Sequence, residues 1–67
     1  MIVNRVVKEY RKTEQGYADV VVMDVRDLFY GEYSVERLIE YGGYIMVFSH
    51  RDLNKCLEKA QEIFNGI

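Results

Sequence analysis

The run Val20-Val21-Val22 lies in the middle of a segment, residues 17–26, that is apolar on both of its alternating sides. By the strand period of two, Tyr17, Val21, Met23 and Val25 share one face, and Ala18, Val20 and Val22 line the other. A strand of this kind belongs in the interior of a sheet, covered on both sides. The chain has 67 residues with which to build that cover. A domain of this size hides only about 60% of the surface of its unfolded chain. Ordering it costs on the order of 100 kcal/mol, nearly all of which burial must offset. One domain over residues 1–67 is expected, with no room for a nucleotide fold plus a separate substrate domain.

The other elements follow from pattern and punctuation. Residues 2–11 are valine-rich but interrupted by polar residues on both faces, which suits an edge strand. Residues 12–16, ending in Gly16, read as a hairpin loop. Ser34 has the character of a helix N-cap, and Val35, Leu38 and Ile39 then fall on one helical face, predicting a short helix that stops at Gly42-Gly43. Residues 44–48 form a wholly apolar third strand. Ser49, with Asp52 three residues on, resembles a capping box opening a longer helix. In that helix Leu53, Cys56, Leu57, Ala60, Ile63 and Phe64 recur at three and four residues, and Asn65-Gly66 supplies the stop. The expected fold is α+β, a small β-β-α-β-α domain. Its three-stranded, mostly antiparallel sheet carries the C-terminal amphipathic helix on one face. The stripe of Leu53, Leu57, Ile63 and Phe64 is expected to pack on Val21, Met23 and the third strand. Val20 and Val22 then form a second apolar face that one chain cannot cover, so a homodimer is expected.

Composition narrows the class. Apolar residues at 49% and charged residues at 30% exceed the hydrophobicity of a disordered chain. The net charge of −2 leaves no basic footprint for duplex DNA, so nucleic acid is not the expected partner. The single cysteine, Cys56, forms no internal disulfide, which points to a reducing, cytoplasmic compartment. No long apolar run follows a basic head at the start, so no signal peptide is expected. The longest apolar stretch, residues 44–48, is far short of the ~20 residues that span a bilayer.

No constellation for chemistry survives inspection. His50-Arg51-Asp52-Leu53 matches the opening of a protein-kinase catalytic loop, but that motif needs an asparagine where Leu57 stands. On a helix, His50 and Cys56 would point roughly 120° apart, and two ligands do not close a structural zinc site. Cys56 belongs to the apolar stripe and reads as a buried, inert thiol. Asp24, Asp27 and Glu32 match no calcium loop and read as solvated charges. None of the glycines opens a phosphate-cradling loop. No enzyme activity, catalytic residue, metal or cofactor is expected.

Charge and aromatic residues are unevenly spread. Residues 1–16 hold Arg5, Lys8, Arg11 and Lys12 against two acids, and residues 24–44 hold five acids against Arg26 and Arg37. Four of the six tyrosines, Tyr30, Tyr33, Tyr41 and Tyr44, fall in that acidic third. Tyrosine combines apolar area with a polar handle, and interfaces collect it. The expected function is a small protein-binding module, such as an inhibitor, adaptor or regulator of the kind that phage and other mobile elements encode. Its expected site is Tyr30, Glu32, Tyr33, Glu36, Glu40 and Tyr41, with the three glutamates projecting from one side of the short helix toward a basic partner. The alternative is a nucleic-acid-binding dimeric regulator using the basic first strand, Arg5, Lys8, Arg11 and Lys12. The hairpin followed by a strand and the amphipathic residues 52–60 resembles the small antitoxin domain of the HicB kind. That likeness covers about a third of the chain and assigns no residue.

Overall fold

The valine run forms the second of four strands. The computed structural model describes residues 5–14, 16–28 and 31–67. The chain order is β1 (Val6–Tyr10), β2 (Val20–Asp24), β3 (Tyr33–Leu38), β4 (Tyr44–His50) and α1 (Leu53–Asn65). The strands form one antiparallel sheet in the order β1-β2-β3-β4, a meander in which each strand pairs with its predecessor. The α+β class and the C-terminal helix on one face stand as expected. The sheet has four strands rather than three.

The additional strand is the segment read as a short helix. Val35 stands between Val22 of β2 and Phe48 of β4, and Ser34 between Met23 and Ser49. Ser34 is therefore no helix cap; it sits in the sheet, 1% exposed. Val35, Leu38 and Ile39 do fit a helical spacing, but over so few residues that spacing does not discriminate. Pairing on both sides decides the matter, since each residue of β3 joins a ladder that a helix would leave unmade. Gly42-Gly43 is likewise a hairpin turn. The Ile39 amide donates to the Gly43 carbonyl at 2.8 Å and the Gly42 amide to the Ile39 carbonyl at 3.0 Å. Gly42 adopts φ +88°, a left-handed conformation that residues with a Cβ resist.

The helix begins later than its sequence signal. Ser49 lies in β4 opposite Ser34, so it cannot cap α1. Asp52 does so instead, with its carboxylate accepting from the Asn54 amide at 2.9 Å. The helix ends at Asn65 with Gly66 as its C-cap, whose amide donates to the Ile63 carbonyl at 3.1 Å.

The core lies between α1 and the sheet. It consists of Tyr10, Val20, Val22, Val35, Cys56 and Ala60, flanked by Tyr33, Phe48, Leu53, Leu57, Ile63 and Phe64. The face of β2 that meets the helix is thus Val20 and Val22, not Val21 and Met23. An alternating strand with two apolar faces carries no mark of which one a helix will choose. The pairing shows the reason for this choice: Val20 lies opposite Tyr10 and Val22 opposite Val35, so the valines join the side on which the aromatic ring and Val35 already meet the helix. The helix approaches closely because the residues it sets against the sheet, Cys56 and Ala60, are small and fully buried. The larger Leu53, Leu57, Ile63 and Phe64 close the margins.

Candidate binding surface

One helix covers one face of the sheet, and the register gives the composition of the other. Residues directly opposite each other in adjacent strands share a face. One row of the uncovered face is Val6, Met23, Ser34 and Ser49, and the next is Glu9, Val21, Glu36 and Met46. Leu38 and Tyr44 form a third, shorter row. Val6 and Met46 are exposed, whereas Met23, Leu38 and Tyr44 are half-buried among their neighbours. Val21 and Ser34, in the middle of the sheet, are buried, so what this face offers to solvent is the apolar surface of Val6 and Met46, the edges of Met23 and Leu38, and two carboxylates.

Those carboxylates differ. Glu9 is held by the Arg11 guanidinium at 2.8 Å. Glu36 stands between Val21 and Met46 and accepts only a long hydrogen bond, 3.4 Å, from the Ser34 hydroxyl. Among the described residues it has no cationic partner. The middle of the uncovered face thus presents an unneutralised negative charge ringed by apolar side chains.

The residues expected to act together are distributed around the molecule. Tyr30 lies outside the described residues. Glu32 is half-buried just before β3. Tyr33 faces the helix, opposite His50, with the Arg26 guanidinium 4.9 Å from its ring centroid. Glu36 points to the uncovered face. Glu40 and Tyr41 occupy the β3–β4 turn, and Tyr41 is 93% exposed. Glu32, Glu36 and Glu40 therefore do not line one side of a helix, because residues 33–38 are extended and alternate between faces. Tyr44 is a structural tyrosine. Its hydroxyl donates to the Ala18 carbonyl at 2.8 Å, and burial pushes its pKa up.

The basic residues of the first strand make no common track either. Arg5 pairs with Asp27, and the hydrogen bond it donates holds the Asp27 carboxyl below its usual range. Lys8 lies on the helix side, its ammonium 5.0 Å from the centroid of the Tyr10 ring. Arg11 is engaged with Glu9 and with the Gly16 carbonyl at 2.7 Å, and the Lys12 ammonium donates to the Ile67 carbonyl. Each cation is already occupied, and they are divided between the two faces.

The remaining chemistry-bearing side chains have structural roles. Cys56 is fully buried, its sulfur 3.6 Å from the carbonyl oxygens of Tyr33 and His50, and burial pushes the thiol pKa up, away from a reactive thiolate. Asp52, the aspartate of the kinase-like tetrapeptide, is the helix cap. Asp24 pairs with Arg26 at 2.9 Å and Asp27 with Arg5. Among the described residues, no group of three or more His, Cys, Asp or Glu side chains is placed to hold a metal ion, and no helix is long and apolar enough to cross a membrane.

Val6, Val21, Met23, Leu38 and Met46 were absent from the sequence-based site. For Val21, Met23 and Met46 the signal is present in the two-sided apolar character of β2 and in the unbroken apolar run of β4; Val6 and Leu38 join them only through the register. That signal suits the core equally well, because the sequence does not mark which face the helix takes. Neither a scan against protein-family models nor searches of the curated proteins and of the solved structures returned a match.

Proposed function

We propose that this chain is a small, non-enzymatic protein-binding module, an inhibitor, adaptor or regulator, that docks a partner protein on the uncovered face of its sheet. The observation that carries this reading is the unpaired Glu36 on the face opposite the helix, half-buried beside the exposed Met46. An apolar patch with a central charge suits a partner that brings its own apolar residues and one lysine or arginine to meet Glu36. The β3–β4 turn extends the acidic, tyrosine-bearing character beyond the sheet through Glu40 and the fully presented ring of Tyr41. The prior occupation of Arg5, Lys8, Arg11 and Lys12 favours a protein over a nucleic acid. The buried, free thiol of Cys56 supports a reducing, cytoplasmic setting.

The test compares the parent chain with Glu36→Lys and Met46→Asp, both at positions that tolerate polar groups without disturbing the core. Each is immobilised and used to capture proteins from a lysate of the cells that express it, with and without nuclease. The expected result is a protein retained by the parent, insensitive to nuclease and lost from both folded variants. Retention by both variants at the parent's level, or loss on nuclease treatment, overturns the reading.

A further inference from the structure

The outer strand β4 differs from every other element in what it leaves unprotected. From Tyr44 to Ser49 it carries no charged residue. Its side chains are exposed along the whole middle of the strand: Ile45 48%, Met46 48% and Val47 40%. Edge strands of a soluble sheet are normally guarded by charges. The opposite edge, β1, obeys this with Lys8 and Glu9. In β4 the guard is confined to a bulge, where Val47 is the extra residue between Phe48, opposite Val35, and Met46, opposite Glu36. A bulge bends the strand but places no charge in the way of a neighbour.

The strand is also bracketed by opposite charges. Glu40 lies in the turn that leads into it, and Arg51 follows its last residue. Both are exposed, and neither has an ion-pair partner among the described residues. A neighbouring β4 running antiparallel brings Glu40 of each copy toward Arg51 of the other, at both ends. A parallel neighbour would set like charge against like.

We propose that a second copy of this chain pairs antiparallel along β4, joining two four-stranded sheets into one continuous sheet across a two-fold axis normal to it. That axis keeps both helices on one side and both Glu36 faces on the other. The exposed Ile45 and Val47 of the two copies come side by side, and β4 becomes the interior strand that its sequence describes. The dimer presents two docking faces in the same direction, so a partner with two-fold symmetry gains avidity without any new contact.

The test is sedimentation equilibrium of the purified full chain from low to high micromolar concentration. The parent is expected to dimerise. Val47→Lys sets an ammonium against the apolar Ile45 of the other copy at the strand pairing and is expected to weaken the dimer more than about tenfold. Should that variant not fold, Ile45→Lys serves the same purpose. Glu40→Arg is expected to weaken the dimer about two- to tenfold through the two symmetric end contacts, and Glu40→Arg combined with Arg51→Glu to restore it. Val7→Lys on the opposite edge and Glu36→Lys on the docking face are expected to leave it unchanged, so this inference and the docking reading fail separately. A parent that stays monomeric throughout, or a folded Val47→Lys that dimerises as the parent does, overturns the proposal. Failure of the charge exchange to restore what Glu40→Arg loses overturns the antiparallel arrangement.

Discussion

The hydroxyl of Tyr10 donates to the backbone carbonyl of Leu57 across 3.3 Å, tying edge strand β1 to the helix. The same ring lies 5.7 Å from Phe64, so one side chain closes the core at the β1 edge of the sheet. Burial raises the Tyr10 pKa, because the phenolate would lose its water. Tyr44 shifts in the same direction for the same reason. A group whose folded pKa lies above its unfolded value stabilises the fold fully below the unfolded value. That contribution is lost as pH rises from about 10 through the raised folded value.

The first prediction follows directly. Tyr10→Phe keeps the ring contact and loses the hydrogen bond, at a cost of about 0.5–1.5 kcal/mol near neutral pH. The variant should also lose stability less steeply above about pH 10 than the parent, since one of the two shifted phenols is gone. Urea denaturation at neutral and alkaline pH measures both effects. An unchanged alkaline slope would mean that Tyr10 does not carry the shift.

Burial ranks the core substitutions. Val22 is fully buried between Val35 and the helix, and Val22→Ala should cost about 2–3 kcal/mol. Leu57, half-buried at the margin of the helix, should cost less on truncation to Ala than the ~2–5 kcal/mol of a fully buried leucine. For a domain of this size, each 1 kcal/mol moves Tm by about 4–8 °C. Val22→Ala should therefore melt at least about 8 °C below the parent. A larger loss from Val21→Ala than from Val22→Ala would reverse the assignment of faces.

Much of this architecture is legible in the residues, and the limits have physical causes. The helix declares itself because six apolar residues between Leu53 and Phe64 keep one period over more than two turns, a pattern no strand shares. The valine run declares a strand for the complementary reason. Residues 34–43 fail because three apolar residues at short range fit either period, and a glycine pair ends a helix as readily as it turns a hairpin. What separates the two is the ladder with Val22 and Phe48, which is distant in sequence. The same nonlocality hides the candidate surface. Val21 and Met23 are marked as apolar, but only the position of the helix makes them the uncovered side. Glu36 stands out in the sequence for its charge and for a spacing that also suits a helix. It remains in the candidate site because strand alternation happens to point it outward.

The two candidate caps of α1 can be separated by stability. Asp52→Ala removes the oxygen that accepts from the Asn54 amide and should cost about 0.5–2 kcal/mol. Ser49→Ala, one pair from the end of the β3–β4 ladder, removes a hydroxyl that takes no part in the helix start and should cost less. Thermal melts of the two variants, run beside the parent, provide the comparison. Equal losses would return Ser49 to a capping role.

The β3–β4 turn gives the last prediction. Gly42 adopts φ +88° with open space where a Cβ would stand, so any cost of Gly42→Ala arises from the backbone and not from a clash. The left-handed conformation costs a residue with a Cβ roughly 1–2 kcal/mol. Gly43 is not left-handed, and a Cβ there would meet the Ile39 side chain at 3.9 Å, an ordinary contact. Gly43→Ala should therefore be nearly neutral, or slightly stabilising through a less flexible unfolded chain. The hairpin also positions Glu40, which the proposed dimer needs. Gly42→Ala should accordingly weaken dimerisation along with folding, whereas Gly42→Asn, which tolerates the left-handed region, should recover most of both. Chemical denaturation and sedimentation of the three variants read the two effects independently. A Gly43→Ala variant less stable than Gly42→Ala would mean that the turn is not the one described.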